Sequence, residues 1–334
     1  MHIVVIGAGS IGCVLAAQLH RAGCQVTVIA RGASLTRIRQ AGIALSGAFG
    51  NYQADVRASE TIDARPELAL LTTQAMDVAA ALRPHTAALG DVPVVALQNG
   101  FGGWEAAAEL LPRSPLIGGL SLIAATRTAP GVAEVTTAST TWVGAVDPAH
   151  GEIAAHVAEV LGEAVPCELS DNIAGARWTK FLVNQINHLP AITGWSVQAT
   201  IEHPVLQRIL ARGMREVAQT GLARQAPFAS LVGITPDAVL RLATSSPASP
   251  EIALTLVRYL GATPNPGSTL QSIRRGVPTE IDFLGGALAK LAAGTGVATP
   301  VTDTLAELVR TVERGHPFYS PDEVAHAVGT VAPE

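Results

Sequence analysis

The chain has 334 residues, of which 48% are hydrophobic and 15% are charged, and its formal net charge is −5. This length supplies enough apolar material for two domains or one large domain. The negative net charge argues against nucleic acid as a partner, because phosphate binding needs a basic surface. The sequence also lacks the run of about eighteen apolar residues that a membrane span needs.

The first half of the chain alternates short β-rich runs with helical stretches. The β-rich runs occupy residues 2–6, 25–29, 68–72 and 92–97, and the first helical pattern occupies residues 10–22. Strands that alternate with helices predict a parallel sheet with crossover helices. Residues 55–59 and 131–144 show the alternation and turn residues of antiparallel hairpins.

From about residue 171 the pattern changes and β-rich runs nearly disappear. Helical spacing occurs at residues 174–189, 204–223, 236–243, 280–293 and 302–314. Loops rich in Pro, Gly and Ser separate these helices. The sequence therefore predicts an α/β N-terminal domain with a doubly wound sheet over residues 1–170, followed by an all-α C-terminal domain over residues 171–334.

A glycine-rich loop follows the first predicted strand and opens the first predicted helix. Its residues are Gly7, Ala8, Gly9, Ser10, Ile11 and Gly12. The first glycine permits a tight turn, the second lets the backbone approach a pyrophosphate, and the third lets the helix pack closely on the strand. The pyrophosphate would accept hydrogen bonds from free N–H groups at the positive end of the helix dipole. A plain glycine turn is the alternative, but the surrounding strand–helix–strand pattern favours a dinucleotide-binding Rossmann domain.

The residue after the second predicted strand decides between NAD and NADP. An NAD site needs an Asp or Glu there to accept hydrogen bonds from the ribose, but the sequence has no acidic residue before Asp55. Arg31 stands there instead, and its guanidinium can pair with a 2′-phosphate and stack on adenine. A solvated surface arginine is the alternative. The sequence predicts NADP(H) as the cofactor.

The three cysteines, Cys13, Cys24 and Cys167, form no Cys-x-x-Cys pair. This pattern is typical of small buried side chains in a reducing compartment rather than of disulfides or a metal site. The N-terminus enters an apolar run at once, without the basic segment or cleavage signature of a secretion signal. We therefore expect a cytoplasmic protein without a metal ion.

Four sequence blocks resemble those of a known enzyme family. They are GAGSIG at 7–12, LQNGFG at 97–102, KFLVN at 180–184, and the segment 268–286 with PTEIDFLGG. Together they resemble the ketopantoate reductases (2-dehydropantoate 2-reductases) over the full length of the chain. The resemblance implies NADPH-dependent reduction of a 2-keto acid, with ketopantoate, which is reduced to pantoate in pantothenate biosynthesis, as the leading substrate.

The spacing of polar residues in the second half of the chain and the family resemblance together suggest the catalytic residues. Lys180, Asn184 and His188 are four residues apart, which predicts one shared helix face; a solvent-facing stripe is the alternative. The resemblance implies that Lys180 is the general acid, whose ammonium stabilises charge on the carbonyl oxygen and then supplies the proton. It implies that Glu280 maintains the active-site geometry and contacts the cofactor or the substrate hydroxyl; a carboxylate in the first turn of a helix is the alternative.

The resemblance also implies substrate contacts for Asn99, Asn184 and Ser268, with Asn99 touching the cofactor as well. Ser268 lies twelve residues before Glu280, at the spacing of the family's substrate-binding serine; otherwise it is a turn residue after Pro-Gly. Asn99 follows the predicted strand at 92–97, where open α/β sheets bind ligands, although an Asn-Gly turn would also explain it.

Several positions depart from the family pattern. Gln74 replaces a lysine near the phosphates, and we keep it among the cofactor-binding residues. His188 replaces the second helix asparagine, with Asn187 adjacent, and Gln198 is an uncertain substitute for a further asparagine; we expect both to bind substrate. Ser272 replaces an aspartate. These departures leave the substrate open.

Two alternatives follow from these departures. The first is a family paralogue that reduces a different 2-keto acid or a related carbonyl compound. The second is a non-catalytic NADP(H)-sensing protein, which the presence of Lys180 and Glu280 disfavours. The sequence leaves the oligomeric state open, including a homodimer.

Overall fold

The computed structural model describes residues 1–261 and 263–331. The chain divides into two compact units, Met1–Ile173 and Ala174–Glu334. The first unit is a mixed α/β structure and the described part of the second is helical. The predicted fold class is therefore confirmed.

The strands belong to the first unit. They are β1 (His2–Ile6), β2 (Gln25–Ile29), β3 (Ile43–Gly47), β4 (Tyr52–Ala54), β5 (Arg57–Ser59), β6 (Leu68–Leu71), β7 (Val94–Ala96), β8 (Leu116–Ser121), β9 (Ala124–Ala129), β10 (Val132–Thr137), β11 (Thr141–Ala145) and β12 (Cys167–Leu169). The helices between them are α1 (Ser10–Arg21), α2 (Gly32–Ala41), α3 (Val78–Leu82), α4 (Thr86–Leu89), α5 (Gly103–Leu110) and α6 (Gly151–Gly162).

The second unit contains α7 (Ile173–Val183), α8 (His188–Thr193), α9 (Val197–Glu202), α10 (Pro204–Ala223), α11 (Pro236–Thr244), α12 (Glu251–Leu260), α13 (Gly267–Arg274), α14 (Gly285–Ala292), α15 (Pro300–Glu313) and α16 (Pro321–Val331). Short 3-10 turns occupy Asn184–Asn187 and Ile281–Phe283. None of the helices in the described part of the chain combines the length and the apolar character that a membrane crossing needs.

The main sheet has the strand order β12-β11-β8-β7-β6-β1-β2-β5. The six strands from β8 to β5 are parallel, and β11 is antiparallel to β8. In chain order these six strands are arranged 3-2-1-4-5-6, so the order reverses between β1 and β6. Ligands of open α/β sheets bind outside the carboxyl ends of the strands at such a reversal. The central strands are fully buried because they are continuous aliphatic runs, as expected for a parallel sheet covered on both faces.

The hairpin predictions were correct in part. β9 and β10 form an antiparallel hairpin around Gly131, but β11 joins the main sheet. The hairpin predicted at residues 55–59 is wrong, because β5 pairs in parallel with β2 at the sheet edge. The hairpin lies earlier, between β3 and β4, where Gly47 and Gly50 adopt positive φ angles and close the turn.

Two predicted helices are interrupted in the second unit. The helix predicted over 174–189 is divided by the 3-10 turn Asn184–Asn187, and the helix predicted over 280–293 begins only at Gly285. The long helix α10 was predicted with its observed bounds. Glu216 on α10 accepts hydrogen bonds from the backbone N–H groups of Val301 and Thr302 (both 2.8 Å), which anchors the first turn of α15.

Candidate active site

The glycine loop has the geometry of an anion cradle. Gly7 adopts a φ of +114°, and a Cβ there would lie 2.9 Å from the backbone nitrogen of Thr73. A Cβ on Gly12 would overlap the carbonyl oxygen of Gly7, so both positions need glycine for packing. At Gly9, by contrast, a Cβ would have no described atom within 4 Å. No side chain caps α1 at this end, so its first N–H groups are available to a phosphate.

Hydrogen bonds join this loop to the loops that follow β6 and β7. The Thr72 hydroxyl donates to the carbonyls of Ile6 (3.1 Å) and Gly7 (2.9 Å). The Gln98 amide donates to the carbonyls of Leu71 (2.8 Å) and Thr73 (3.1 Å). Sequence reasoning missed Thr72 and Gln98, although a polar residue soon after each buried strand was a usable signal.

Three predicted cofactor residues lie at the ends of these strands. Gln74 and Asn99 are half-buried in the loops after β6 and β7, and Arg31 is exposed between β2 and α2. Burial lowers the pKa of His85, and the Arg31 guanidinium lowers it further. His85 is buried and its Nε2 has no hydrogen-bond partner among the residues described. Nothing in the sequence around His85 had suggested that it lies near Arg31.

The fit of this unit to a dinucleotide rests on the backbone of the glycine loop and on the charge at the end of β2. The space in front of Gly9 and the uncapped start of α1 suit a pyrophosphate. The end of β2 offers a guanidinium and no carboxylate, so the charge there suits a phosphate better than a ribose hydroxyl.

The second unit brings Lys180 and Glu280 together. Lys180 lies on α7 and is only 4% exposed, while Glu280 is half-buried just before the 3-10 turn Ile281–Phe283. Burial lowers the pKa of Lys180 from 10.5 to about 8, and the Glu280 carboxylate offsets part of this effect. The ammonium is therefore still charged at neutral pH, but it releases its proton more readily than an ordinary lysine. That combination suits a general acid.

The choice of lysine at this buried position is itself informative. The chain has 22 Lys and Arg residues, of which only Lys180 and Lys290 are lysines. Lys290 is exposed on α14. Arginine cannot release a proton in a protein, whereas lysine can. The buried cation at position 180 is therefore titratable, whereas every other Lys or Arg position except the exposed Lys290 is an arginine.

Asn184, Asn187 and Ser268 form a connected group. Asn184 is buried, and among the described residues its side-chain nitrogen has no hydrogen-bond partner. The Asn187 side-chain nitrogen donates to the Asn184 carbonyl (3.1 Å), and its side-chain oxygen accepts from the backbone N–H of Ser268 (3.1 Å). Gly267 has a φ of +73°, and a Cβ there would lie 2.6 Å from the Asn187 oxygen. Asn187 therefore fixes the start of α13, where the exposed Ser268 lies.

The structure does not bring His188 into this group. The continuous helix that would place Lys180, Asn184 and His188 on one face is interrupted by the 3-10 turn that begins at Asn184, so the shared face stays a prediction. His188 is fully buried, and a Cβ on Gly285 would lie 2.8 Å from its Nε2. Burial lowers the pKa of His188 to about 4, and the backbone of Gln185 opposes this effect only in part.

Gln198 is engaged with backbone groups before α13. Its side-chain nitrogen donates to the carbonyls of Gly261 (3.1 Å) and Thr263 (2.7 Å), and its oxygen accepts from the N–H of Asn265 (2.9 Å). Both polar ends of the amide are thus used to shape the loop. Ser272, at the position of the expected aspartate, is buried within α13.

The glycine loop at the strand-order reversal and the buried Lys180 beside Glu280 define a dinucleotide-dependent oxidoreductase. Comparison with known proteins agrees. Residues 3–148 match the family model described as ketopantoate reductase PanE/ApbA, and residues 172–313 match the model of its C-terminal region. The chain belongs to the ketopantoate reductase family, and it is an oxidoreductase that acts on a CH–OH group.

Relatives and solved structures cover nearly the whole chain. The chain is 30% identical to the 2-dehydropantoate 2-reductase of Pyrococcus horikoshii, over 94% of this chain and 98% of that protein. It is 28% identical to that of Vibrio cholerae, with the same coverage. The crystal structure of a PanE/ApbA family ketopantoate reductase from Ralstonia eutropha superposes with a TM-score of 0.76 at 26% identity, over 94% of this chain and 99% of that one. A D-mandelate dehydrogenase with NADH and anilino(oxo)acetate shares the fold, with a TM-score of 0.79 at 23% identity and the same coverage.

Proposed function

We propose that this protein uses NADPH to reduce 2-dehydropantoate (ketopantoate) to pantoate, the reaction that supplies pantoate for pantothenate biosynthesis. The observation that carries the proposal is the buried Lys180 beside Glu280, in a chain whose relatives are named for this reaction. A non-catalytic sensor would have no use for a desolvated ammonium, because burying it costs stability.

When bound, the reduced nicotinamide supplies a hydride to the ketone carbon. Negative charge then develops on the carbonyl oxygen, and the Lys180 ammonium stabilises it and donates a proton from Nζ. Burial favours this transfer, because the neutral amine that remains is easier to accommodate in an apolar environment than the ammonium. In this proposal Glu280 keeps Lys180 charged before the reaction and orients the substrate hydroxyl.

Two further groups are suited to the rest of the substrate. The side-chain nitrogen of Asn184 is buried without a partner among the described residues, and it can donate to a carboxylate or hydroxyl oxygen. The Ser268 side chain is exposed at the start of α13, which Asn187 holds in place. We therefore assign Asn184 and Ser268 to substrate binding, and Asn187 to the support of Ser268. We do not extend that role to His188 or Gln198.

The preference for NADPH is the finer part of the proposal. The residues proposed for the cofactor are those of the loop 7–12 together with Arg31, Gln74 and Asn99. Arg31 supplies a cation where NAD sites have a carboxylate. The D-mandelate dehydrogenase structures contain NADH, so the two cofactors need a direct comparison. The cytoplasmic location stays a prediction from the sequence.

The test is a substrate panel with both cofactors. The purified protein is assayed by nicotinamide absorbance with ketopantoate, benzoylformate, 2-oxoisovalerate and pyruvate, each with NADPH and NADH. We expect the highest kcat/KM for ketopantoate with NADPH. Faster turnover of another keto acid would identify a paralogue with a different substrate, and cofactor binding without any turnover would identify a sensor. Equal use of the two cofactors would refute the assignment of Arg31.

A further inference from the structure

The segment that carries Glu280 is attached to α15 on its N-terminal side. Thr279 is buried, and both its backbone N–H (3.3 Å) and its hydroxyl donate to one carboxylate oxygen of Glu313. Glu313 is the last residue of α15, 34 positions away in sequence. A charged acceptor makes these hydrogen bonds stronger than neutral ones. The residue directly before Glu280 is therefore held by α15.

A second attachment lies on the other side of Glu280. Arg310 donates to one oxygen of Asp282 from Nε (3.0 Å) and Nη2 (2.6 Å). A Cβ on Gly286 would lie 2.9 Å from the same Nη2, so glycine leaves room for the pair. This ion pair is partly exposed, and we expect it to contribute less than the Thr279 contact.

The helix that provides both attachments is itself well fixed. Glu216 anchors its first turn, as described above, and Val309 and Val312 pack into the core near its end. Glu313 and Arg310 are therefore carried by a helix, α15, that is itself well fixed. Glu280 lies between the two attached residues, and the charge of its carboxylate raises the pKa of Lys180.

We propose that Glu313 and Arg310 are positioning residues, which hold Thr279 and Asp282 so that the Glu280 carboxylate stays beside the Lys180 ammonium. This inference rests on the proposed function, in which Lys180 is the proton donor. Neither residue of α15 needs to touch the substrate. Their effect on the reaction runs through the pKa of Lys180, because a carboxylate that moves away no longer favours the charged amine.

The size of the effect follows from Coulomb's law. At an effective dielectric constant of about 20, withdrawing a carboxylate from about 4 Å to about 6 Å from an ammonium lowers its pKa by about one unit. We expect the double variant Glu313→Ala/Arg310→Ala to lower the pKa of Lys180 by about that amount, an increase of about tenfold in acid dissociation. Thr279→Val removes one hydrogen bond without changing any charge, and we expect an increase of about threefold.

The pKa of Lys180 can be measured directly by NMR. Because it contains two lysines, protein labelled with ε-¹³C-lysine gives two NMR signals, and Lys290→Arg assigns them. Titration of the Lys180 signal yields its pKa without any turnover. Thr279→Ser, which keeps the hydroxyl, is expected to retain the wild-type value. If the protein is active, the alkaline limb of the pH profile of kcat in Thr279→Val and in the double variant should move to lower pH by the same amount as the pKa of Lys180.

Glu323 provides a matched control. It accepts hydrogen bonds from the backbone N–H and the hydroxyl of Ser320 (both 2.7 Å), the same pair of contacts that Glu313 makes. Glu323→Ala should leave the Lys180 titration unchanged. An unchanged Lys180 pKa in both Thr279→Val and the double variant would overturn the inference, as would an equal shift in Glu323→Ala. If the double variant does not fold, the Thr279→Val and Thr279→Ser pair decides. A wild-type protein inactive on keto acids would instead refute the proposed function and leave the titration readable.

Discussion

Replacing Lys180 by methionine separates a catalytic role from a structural one. The pKa of Lys180 is lowered from 10.5 to about 8, and each unit corresponds to about 1.36 kcal/mol. Between these pH values the unfolded chain binds the proton and the folded chain does not, so stability increases as pH rises from 8 to 10.5. At pH 7 the buried ammonium therefore costs about 3 kcal/mol compared with a neutral amine.

Lys180→Met removes that cost while keeping most of the side-chain volume. We expect the free energy of unfolding at pH 7 to rise by up to about 3 kcal/mol, reduced by whatever the loss of the Lys180 charge near Glu280 costs. Turnover should fall by about 10²–10⁴-fold, the usual contribution of a positioned acid. NADPH affinity should be retained, because the glycine loop belongs to the other unit.

The assay combines denaturant unfolding at pH 7 to 10.5, NADPH titration and steady-state kinetics on the same preparation. The wild-type rate should decline above about pH 8, and this limb should be absent from the residual activity of the variant. Lys290→Met, at the exposed lysine, is the matched control and should change neither stability nor rate. Lower stability together with near-normal turnover in Lys180→Met would refute the argument and make Lys180 a structural residue.

Three further predictions concern single side chains. Arg31→Ala should weaken NADPH binding by about tenfold to a hundredfold and leave NADH binding nearly unchanged, because a charge-assisted bond to the 2′-phosphate contributes about 1.5–3 kcal/mol. Gln74→Lys should tighten NADPH binding, because it adds a positive charge near the phosphates. The free energy of unfolding of the wild type should fall by about 3 kcal/mol as pH falls from 6.5 to 4, because the pKa of His188 is lowered from 6.5 to about 4 in the folded state. The variant His188→Leu should lack this part of the pH dependence.

Each of these predictions has a contrary result. Equal loss of NADH and NADPH affinity in Arg31→Ala would remove the guanidinium from the 2′-phosphate. Unchanged or weaker NADPH binding in Gln74→Lys would show that this loop does not reach the phosphates. The same acid unfolding curve for wild type and His188→Leu would show that the histidine titrates normally. Cofactor titration and urea unfolding between pH 4 and 7 provide these measurements.

The first unit could be predicted well because its signals are local. A buried parallel strand is a continuous aliphatic run, as in β1 and β6, and the glycine loop directly follows such a run. The error at residues 55–59 arose because a three-residue strand carries too little pattern to reveal its partner. β5 pairs with β2, about thirty residues earlier, and only the assembled sheet determines that choice.

The sequence suggested which residues form the candidate site, but not which way their side chains face. Lys180, Asn184, Ser268 and Glu280 were identified from the sequence, yet the face that Asn184 shares depends on whether the helix continues after Val183. In a 3-10 turn the side chains at i and i+3 align, and the Asn187 side chain contacts the Asn184 carbonyl and the Ser268 backbone.

The residues that support Glu280 could not be predicted from the periodicity of the sequence. Thr279 and Glu313 are 34 residues apart, and each alone looks like an ordinary polar residue at the end of a helical segment. Local spacing indicates which side chains share a face, but a hydrogen bond between two elements depends on how those elements pack. Lys180 was identified from the sequence through the resemblance of the block KFLVN at 180–184 to the ketopantoate reductases. The group that tunes it could be found only after α15 and the segment before α14 were seen side by side.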